Sequence, residues 1–228
     1  MKKPAAGIED NRILTQQQIH FIRLFLNSEL KYFFRLTGGT ALSAFYLEHR
    51  LSEDLDFFST EKIPLITIET FLKNVNGIGE IALTRHFDRN IFNLKYKDNS
   101  YLKVEFTYYP LKNLEETVYV DSLQIDSLLD IVVNKLCAIA DRSDAKDYVD
   151  VYVALRNSDF SLGELMALAE KKCEIKGIRH ILKSRLLQVP KGMERLPLKI
   201  EVEPQDVENF LKDIVQGIIE KEISEKAQ

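Results

Sequence analysis

Apolar positions along the chain fall into two regimes. From Thr15 to Phe33, the residues Ile19, Ile22, Phe25, Leu26, Leu30 and Phe33 recur at helical spacing, with Thr15 placed to cap the helix. A short apolar run from Phe33 to Leu36 leads into Gly38-Gly39 and a second helical stretch, Thr40 to Glu48. Asp54 to Ser59 alternates as a strand, and Ile66 to Val75 returns to the helical period. Three more strands are predicted at Glu80 to Phe87, Asn90 to Tyr96 and Tyr101 to Tyr109, with turns at Asp88-Arg89 and at Lys97 to Ser100. Beyond about Asp121 the spacing is helical throughout: Asp126 to Ala140, Asp144 to Leu155, Leu162 to Cys173, Ile178 to Leu187 and Pro204 to Glu222. The pattern predicts an α+β protein, with an α/β core over residues 1–120 and a helical domain over 121–228.

Composition narrows the class. With 228 residues, 45% of them hydrophobic, the chain can bury a sizeable core, which excludes disordered and collagen-like classes. No apolar run approaches the roughly 20 residues that span a bilayer, and Met1 to Asp10 lacks the apolar stretch of a secretory leader. The two cysteines, Cys137 and Cys173, have no CxxC spacing and no nearby histidine, so neither a zinc module nor a disulfide framework is expected. These features suggest a soluble protein of the reducing cytoplasm, with no membrane partner.

The formal charge of −4 excludes a general DNA-coating protein but conceals an uneven distribution. Residues 171–199 carry +7, whereas residues 200–228 carry −5. A polyanion could dock on the basic segment, where Arg179, Lys183 and Arg185 are candidate acceptor-binding residues. Solvated helix faces would look the same.

The strand Asp54-Leu55-Asp56-Phe57-Phe58 carries candidate chemistry. Alternation puts Asp54 and Asp56 on one face, roughly 6–7 Å apart, with Leu55 and Phe57 turned to the core. Two such carboxylates can converge on Mg²⁺ or Mn²⁺, hard ions that leave room for substrate phosphates. In Tyr101 to Phe106, the apolar face of Leu102, Val104 and Phe106 leaves Glu105 on the other side, where an adjacent strand could bring it beside the pair. Three carboxylates can hold two metals across a phosphoryl displacement. Gly38-Gly39-Thr40 precedes the pair between strand and helix, giving backbone N–H groups that can approach a phosphate and a hydroxyl donor. No Walker A or GxGxxG motif is present. On the later helices, Lys135 and Arg142 share a face, as do Asp147 and Asp150.

The segment LTGGTALSAFYLEHRLSEDLDFFS, Leu36 to Ser59, resembles the first motif of the AbiEii-type nucleotidyltransferase toxins, members of the polymerase-β-like superfamily. His49, Arg50, Ser52, Asp54 and Asp56 sit where that family has HR-x-S-x-DLDF, and KLCAIADRSDAKDYVDVYVAL, Lys135 to Leu155, resembles its helical motifs. The resemblance implies a nucleotidyltransferase-fold mixed sheet with flanking helices, then a helical domain, with the cleft between them. It implies a metal-dependent enzyme moving an NMP from an NTP to an acceptor hydroxyl on RNA, such as tRNA, or on protein. Asp54, Asp56 and Glu105 would bind metal. Gly38, Gly39, Thr40, Ser52, Lys135 and Arg142 would bind nucleotide, and Lys135 and Asp147 would join the catalytic set. A bacterial toxin–antitoxin or phage-defence role follows, with a cognate antitoxin as partner. The alternatives are a non-catalytic NTP- or metal-binding module of the same fold and a two-metal phosphohydrolase or nuclease.

Overall fold

The computed structural model describes residues 7–226, so most of the Met1 to Asp10 segment lies outside the described residues. It divides into two compact units, residues 1–128 and 129–228.

The first unit is built on a seven-stranded sheet. Its strands are β1 (Arg35–Thr37), β2 (Asp54–Ser59), β3 (Ile78–His86), β4 (Arg89–Tyr96), β5 (Tyr101–Tyr108), β6 (Val118–Val120) and β7 (Leu123–Ile125), in spatial order β3-β4-β5-β2-β1-β7-β6. Pairing is mixed: β2 runs parallel to β5 and antiparallel to β1, and β1 runs parallel to β7. The β6–β7 hairpin, not expected from sequence, turns at Asp121 and Ser122, both at positive φ. The first hairpin turns at Phe87-Asp88, one residue earlier than expected, so Arg89 begins β4.

Helix α1 (Gln16–Leu26) starts at a capping box between Thr15 and Gln18 and covers one sheet face. Phe25 of α1 lies 4.4 Å from Phe57, ring centre to ring centre, and Phe57 stacks on Phe106 at 5.3 Å. This aromatic layer occupies the face of β2 and β5 opposite to Asp54, Asp56 and Glu105, as alternation requires. Helix α3 (Leu65–Lys73) adds Ile68 and Leu72 to the core. A cavity of about 230 Å³ opens on that same face, bounded by Phe34, Ile68, Phe106 and Tyr108, and is not part of the carboxylate cluster.

Between β1 and β2 the chain forms the short helix α2 (Gly38–Leu42), which widens into a π-helical turn over Ser43–Leu47 and ends at left-handed Glu48. The second unit contains α4 (Leu128–Asp141, whose first residue lies at the boundary), α5 (Ala145–Arg156), α6 (Leu162–Cys173), α7 (Ile178–Leu186) and α8 (Pro204–Lys226). No described helix is long and apolar enough to cross a membrane. Contrary to the sequence expectation, Cys137 and Cys173 form a disulfide between α4 and α6, with Cα atoms 6.6 Å apart. Spacing along the chain could not reveal it, because helix packing closes the 36-residue gap.

Candidate active site

Three strands and one turn assemble the carboxylate face. The β2–β5 register sets Asp54 opposite Lys103 and Asp56 opposite Glu105, while the β1–β2 register sets Thr37 opposite Asp56. Asp54, Asp56 and Glu105 therefore share one face of adjoining strands. At the end of β1 the backbone turns through Gly38 at φ +73°. A Cβ at Gly38 would fall 2.2 Å from Asp56 Oδ2. Glycine is required there on both counts, conformation and space. A Cβ at Gly39 would meet Arg50 Nη2 at 2.5 Å and Ser52 Oγ at 3.1 Å, so the second glycine admits those two side chains.

Thr40 is fully buried. Its hydroxyl, expected to face a phosphate, instead donates to the Asp54 carbonyl and ties α2 to the start of β2. Ser52 offers its carbonyl to Gln18 Nε2 at 2.8 Å. His49 is wholly buried.

Two cations that the sequence reading did not single out enter the cluster. Lys103 Nζ donates to Asp54 Oδ2 at 2.6 Å. Arg89 makes a fork to Glu105, Nε to Oε1 at 2.6 Å and Nη2 to Oε2 at 2.7 Å, and Thr107 Oγ1 adds a third bond at 2.6 Å. Glu105 is only 3% exposed. Burial works to raise its carboxyl, but the bonds from Arg89 and Thr107, with the charges of Arg89 and Lys103, outweigh it and hold the group below the usual glutamate value. The Glu105 bond likewise raises Arg89, against burial and with help from the charges of Glu105 and Asp56. The sequence places Lys103 on the same strand face as Glu105 but Arg89 in a turn, and only the strand registers bring both to the carboxylates.

An all-oxygen donor pair on one face suits a hard divalent ion that keeps waters and phosphates as its other ligands. Asp54 and Asp56 would supply such a pair once Lys103 releases Asp54. Among the described residues, no three His, Cys, Asp or Glu side chains converge as a ready-made metal cluster.

The second unit holds its own polar network. Lys135 Nζ lies 2.8 Å from Asp147 Oδ1 and 2.7 Å from Asp150 Oδ2. Arg142 bonds Asp147 Oδ2 through Nε at 3.0 Å and Nη2 at 2.9 Å. Both aspartates are wholly buried, Lys135 nearly so, and Arg142 is half exposed. In the basic segment, Lys183 is buried and donates to Glu222 at 2.6 Å, with Arg179 3.5 Å from the same carboxylate. Arg185 donates to Ser143 Oγ at 2.6 Å, and Lys172 is buried against Asp130. Part of the +7 charge read from the sequence is thus neutralised internally.

The family model of the nucleotidyl transferase AbiEii toxin, type IV toxin–antitoxin system, matches residues 21–228. The chain belongs to this family. As an AbiEii family member it is a nucleotidyltransferase. It is similar to aq_aa25, an uncharacterized protein of Aquifex aeolicus (strain VF5), at 31% identity over 82% of this chain and 88% of that one. In fold it is similar to the crystal structure of JHP933 from Helicobacter pylori, with a TM-score of 0.59 and 22% identity over 94% and 96% of the two chains. A second H. pylori structure gives the same TM-score of 0.59 and identity of 22%, covering 99% of that chain. The AbiEii assignment extends the sequence resemblance, which reached Leu155, through the rest of the helical unit.

Proposed function

We propose that this AbiEii family member transfers a nucleoside monophosphate from an NTP to an acceptor hydroxyl and releases pyrophosphate, using Mg²⁺ or Mn²⁺. The observation that carries the reading is the close approach of the Gly38 turn to the Asp56 carboxylate, where a Cβ would fall 2.2 Å from Oδ2, beside Asp54 on the same face. A turn able to receive phosphate and a carboxylate pair able to receive a cation thereby adjoin. Asp54 and Asp56 would hold the ion, which supplies Lewis-acid stabilisation of charge on the transferring phosphoryl group. Gly38, Gly39 and Ser52 form the phosphate side of this reading, with Thr40 holding α2 to β2. Glu105 belongs to the same face as a held anion beside Asp56. In the helical unit, the half-exposed Arg142 is the cation offered to phosphate, and Lys135 and Asp147 fix its position.

The biological reading is a toxin of a toxin–antitoxin or phage-defence pair, with an antitoxin partner; support comes from the family description. The acceptor is taken to be RNA, such as tRNA, in preference to protein. Arg179 and Arg185 keep partly exposed guanidinium groups that could meet phosphates, whereas the buried Lys183 is better placed to support α7.

Incubation with each NTP, Mg²⁺ and a pool of RNA and protein, followed by mass spectrometry, tests the proposal. The expected product is an RNA heavier by whole nucleotides, with one pyrophosphate released per addition. Release of mononucleotides from RNA would favour a nuclease, and binding of NTP with no product would favour a non-catalytic module.

A further inference from the structure

The three carboxylates of the sheet face are not held on equal terms. Asp54 Oδ2 accepts from the Lys103 ammonium, a single bond from a flexible side chain that is 39% exposed. Such a partner can swing into solvent when a stronger cation arrives. Glu105 has a planar fork from Arg89 on both of its oxygens, plus the Thr107 hydroxyl, and its side chain is 4% exposed. Parallel charge-assisted bonds to a buried carboxylate are among the stronger polar contacts in proteins, and although the Arg89 side chain is 48% exposed, its withdrawal would leave the buried Glu105 charge without compensation. Arg89 cannot withdraw by rotation of one bond without surrendering both hydrogen bonds.

A second ion held by the third carboxylate would need Glu105 taken from its fork.

We propose that this face binds one divalent cation, on Asp54 and Asp56, and that Arg89, by clamping Glu105, withholds the third carboxylate from metal and provides a fixed positive charge where a second ion would otherwise be needed. The inference rests on the metal-dependent reading of the site. It makes Arg89 a positioning residue acting through Glu105, and Lys103 a counter-ion that holds the ion's place at Asp54.

The test counts ions on the full-length chain without nucleotide, by the loss of the free Mn²⁺ paramagnetic resonance signal during titration. The expected count is one Mn²⁺ per parent chain, none in Asp54→Asn, and one in Glu105→Gln, whose neutral amide keeps the shape of the side chain. Arg89→Met should expose a second equivalent, with its fold checked by circular dichroism. Lys103→Met should bind the first ion several-fold more tightly. Two ions on the parent, loss of the ion in Glu105→Gln, or a folded Arg89→Met that still takes one ion would each overturn the inference. A transfer assay on the same preparations keeps the two readings apart. An active parent holding two ions overturns this inference and leaves the transfer reading standing, whereas a parent binding no Mn²⁺ overturns both the inference and the metal-dependent reading.

Discussion

Lys135 and Asp147 meet at 2.8 Å inside the helical unit, where α4 and α5 each bring a charge that has almost no access to water. Asp147 also receives Arg142, and Lys135 also reaches Asp150, so the four side chains form one network. Removing one charge from a buried pair strands the other, at a cost of about 3–5 kcal/mol. Lys135→Met is therefore expected to lower stability by about that amount in urea denaturation, while Arg142→Met, half exposed, should lower it by about 1 kcal/mol. If Arg142 faces phosphate, its variant should also weaken binding of a non-hydrolysable NTP analogue measured by calorimetry; unchanged binding would remove it from the nucleotide set.

The carboxylate pair gives a second prediction. Asp54→Asn and Asp56→Asn should each reduce transfer by orders of magnitude, because metal-assisted charge stabilisation is worth several kcal/mol in the transition state. Thermal melts should show that both variants remain folded. An Asn variant with parental turnover would remove its position from the ion site.

Gly38→Ala is expected to disable the site without removing a functional group. The added Cβ would overlap Asp56 Oδ2 and would sit on a residue at φ +73°. The strained backbone alone costs about 1–2 kcal/mol, and the carboxylate must move to relieve the overlap. Loss of transfer and of Mn²⁺ binding together is the expected signature.

Tyr96 carries the clearest pH dependence. Its hydroxyl is buried without a hydrogen-bond partner among the described residues. Burial, helped by the charge of Asp98, pushes the phenol up from 10.0 to about 12. The unfolded chain ionises first, so the folded state holds the extra proton between those values and stability falls as pH rises through that window. The loss should approach about 2–3 kcal/mol by the upper end. Tyr96→Phe should flatten the alkaline limb, measured as urea midpoint against pH, and should not destabilise at neutral pH. A limb unchanged by the substitution would place the titration elsewhere.

The Cys137–Cys173 bridge closes a 36-residue loop in the helical unit. By loop-closure entropy this stabilises by about 3–4 kcal/mol. Adding a dithiol reductant, or the double change Cys137→Ser with Cys173→Ser, should lower the denaturation midpoint accordingly. Coincident midpoints would show that the bridge contributes little.

The sequence made the carboxylate face legible for a simple reason: Leu55 and Phe57 in β2, and Leu102, Val104 and Phe106 in β5, mark one side of each strand, so the acids between them fall on the other. The neighbours of those acids were less accessible. Arg89 and Lys103 acquire meaning only through the β4–β5 and β2–β5 registers, which no local pattern encodes. The β6–β7 hairpin escaped because its strands have three residues each and its turn uses Asp121-Ser122 in place of the Asn-Gly or Asp-Gly that ordinarily announces positive φ. A hydroxyl beside two glycines looks available to a ligand in the sequence, which is why Thr40 misleads. Its actual acceptor, the Asp54 carbonyl, lies 14 residues away across the fold.

That hydroxyl bond acquires a further importance beside the Gly38–Asp56 contact. The bond ties α2 to the start of β2, and the missing side chain at Gly38 lets the turn pack close against the Asp56 carboxylate. A turn tied at one point and closely packed at another has few ways to open. The spacing between the proposed phosphate cradle and the carboxylates is then set during folding, and a nucleotide bound there would have little chain entropy left to remove at this edge of the sheet. Thr40→Val, which keeps the side chain's shape and releases one fastening, would convert part of that prepaid order into a conformational cost borne by each binding event.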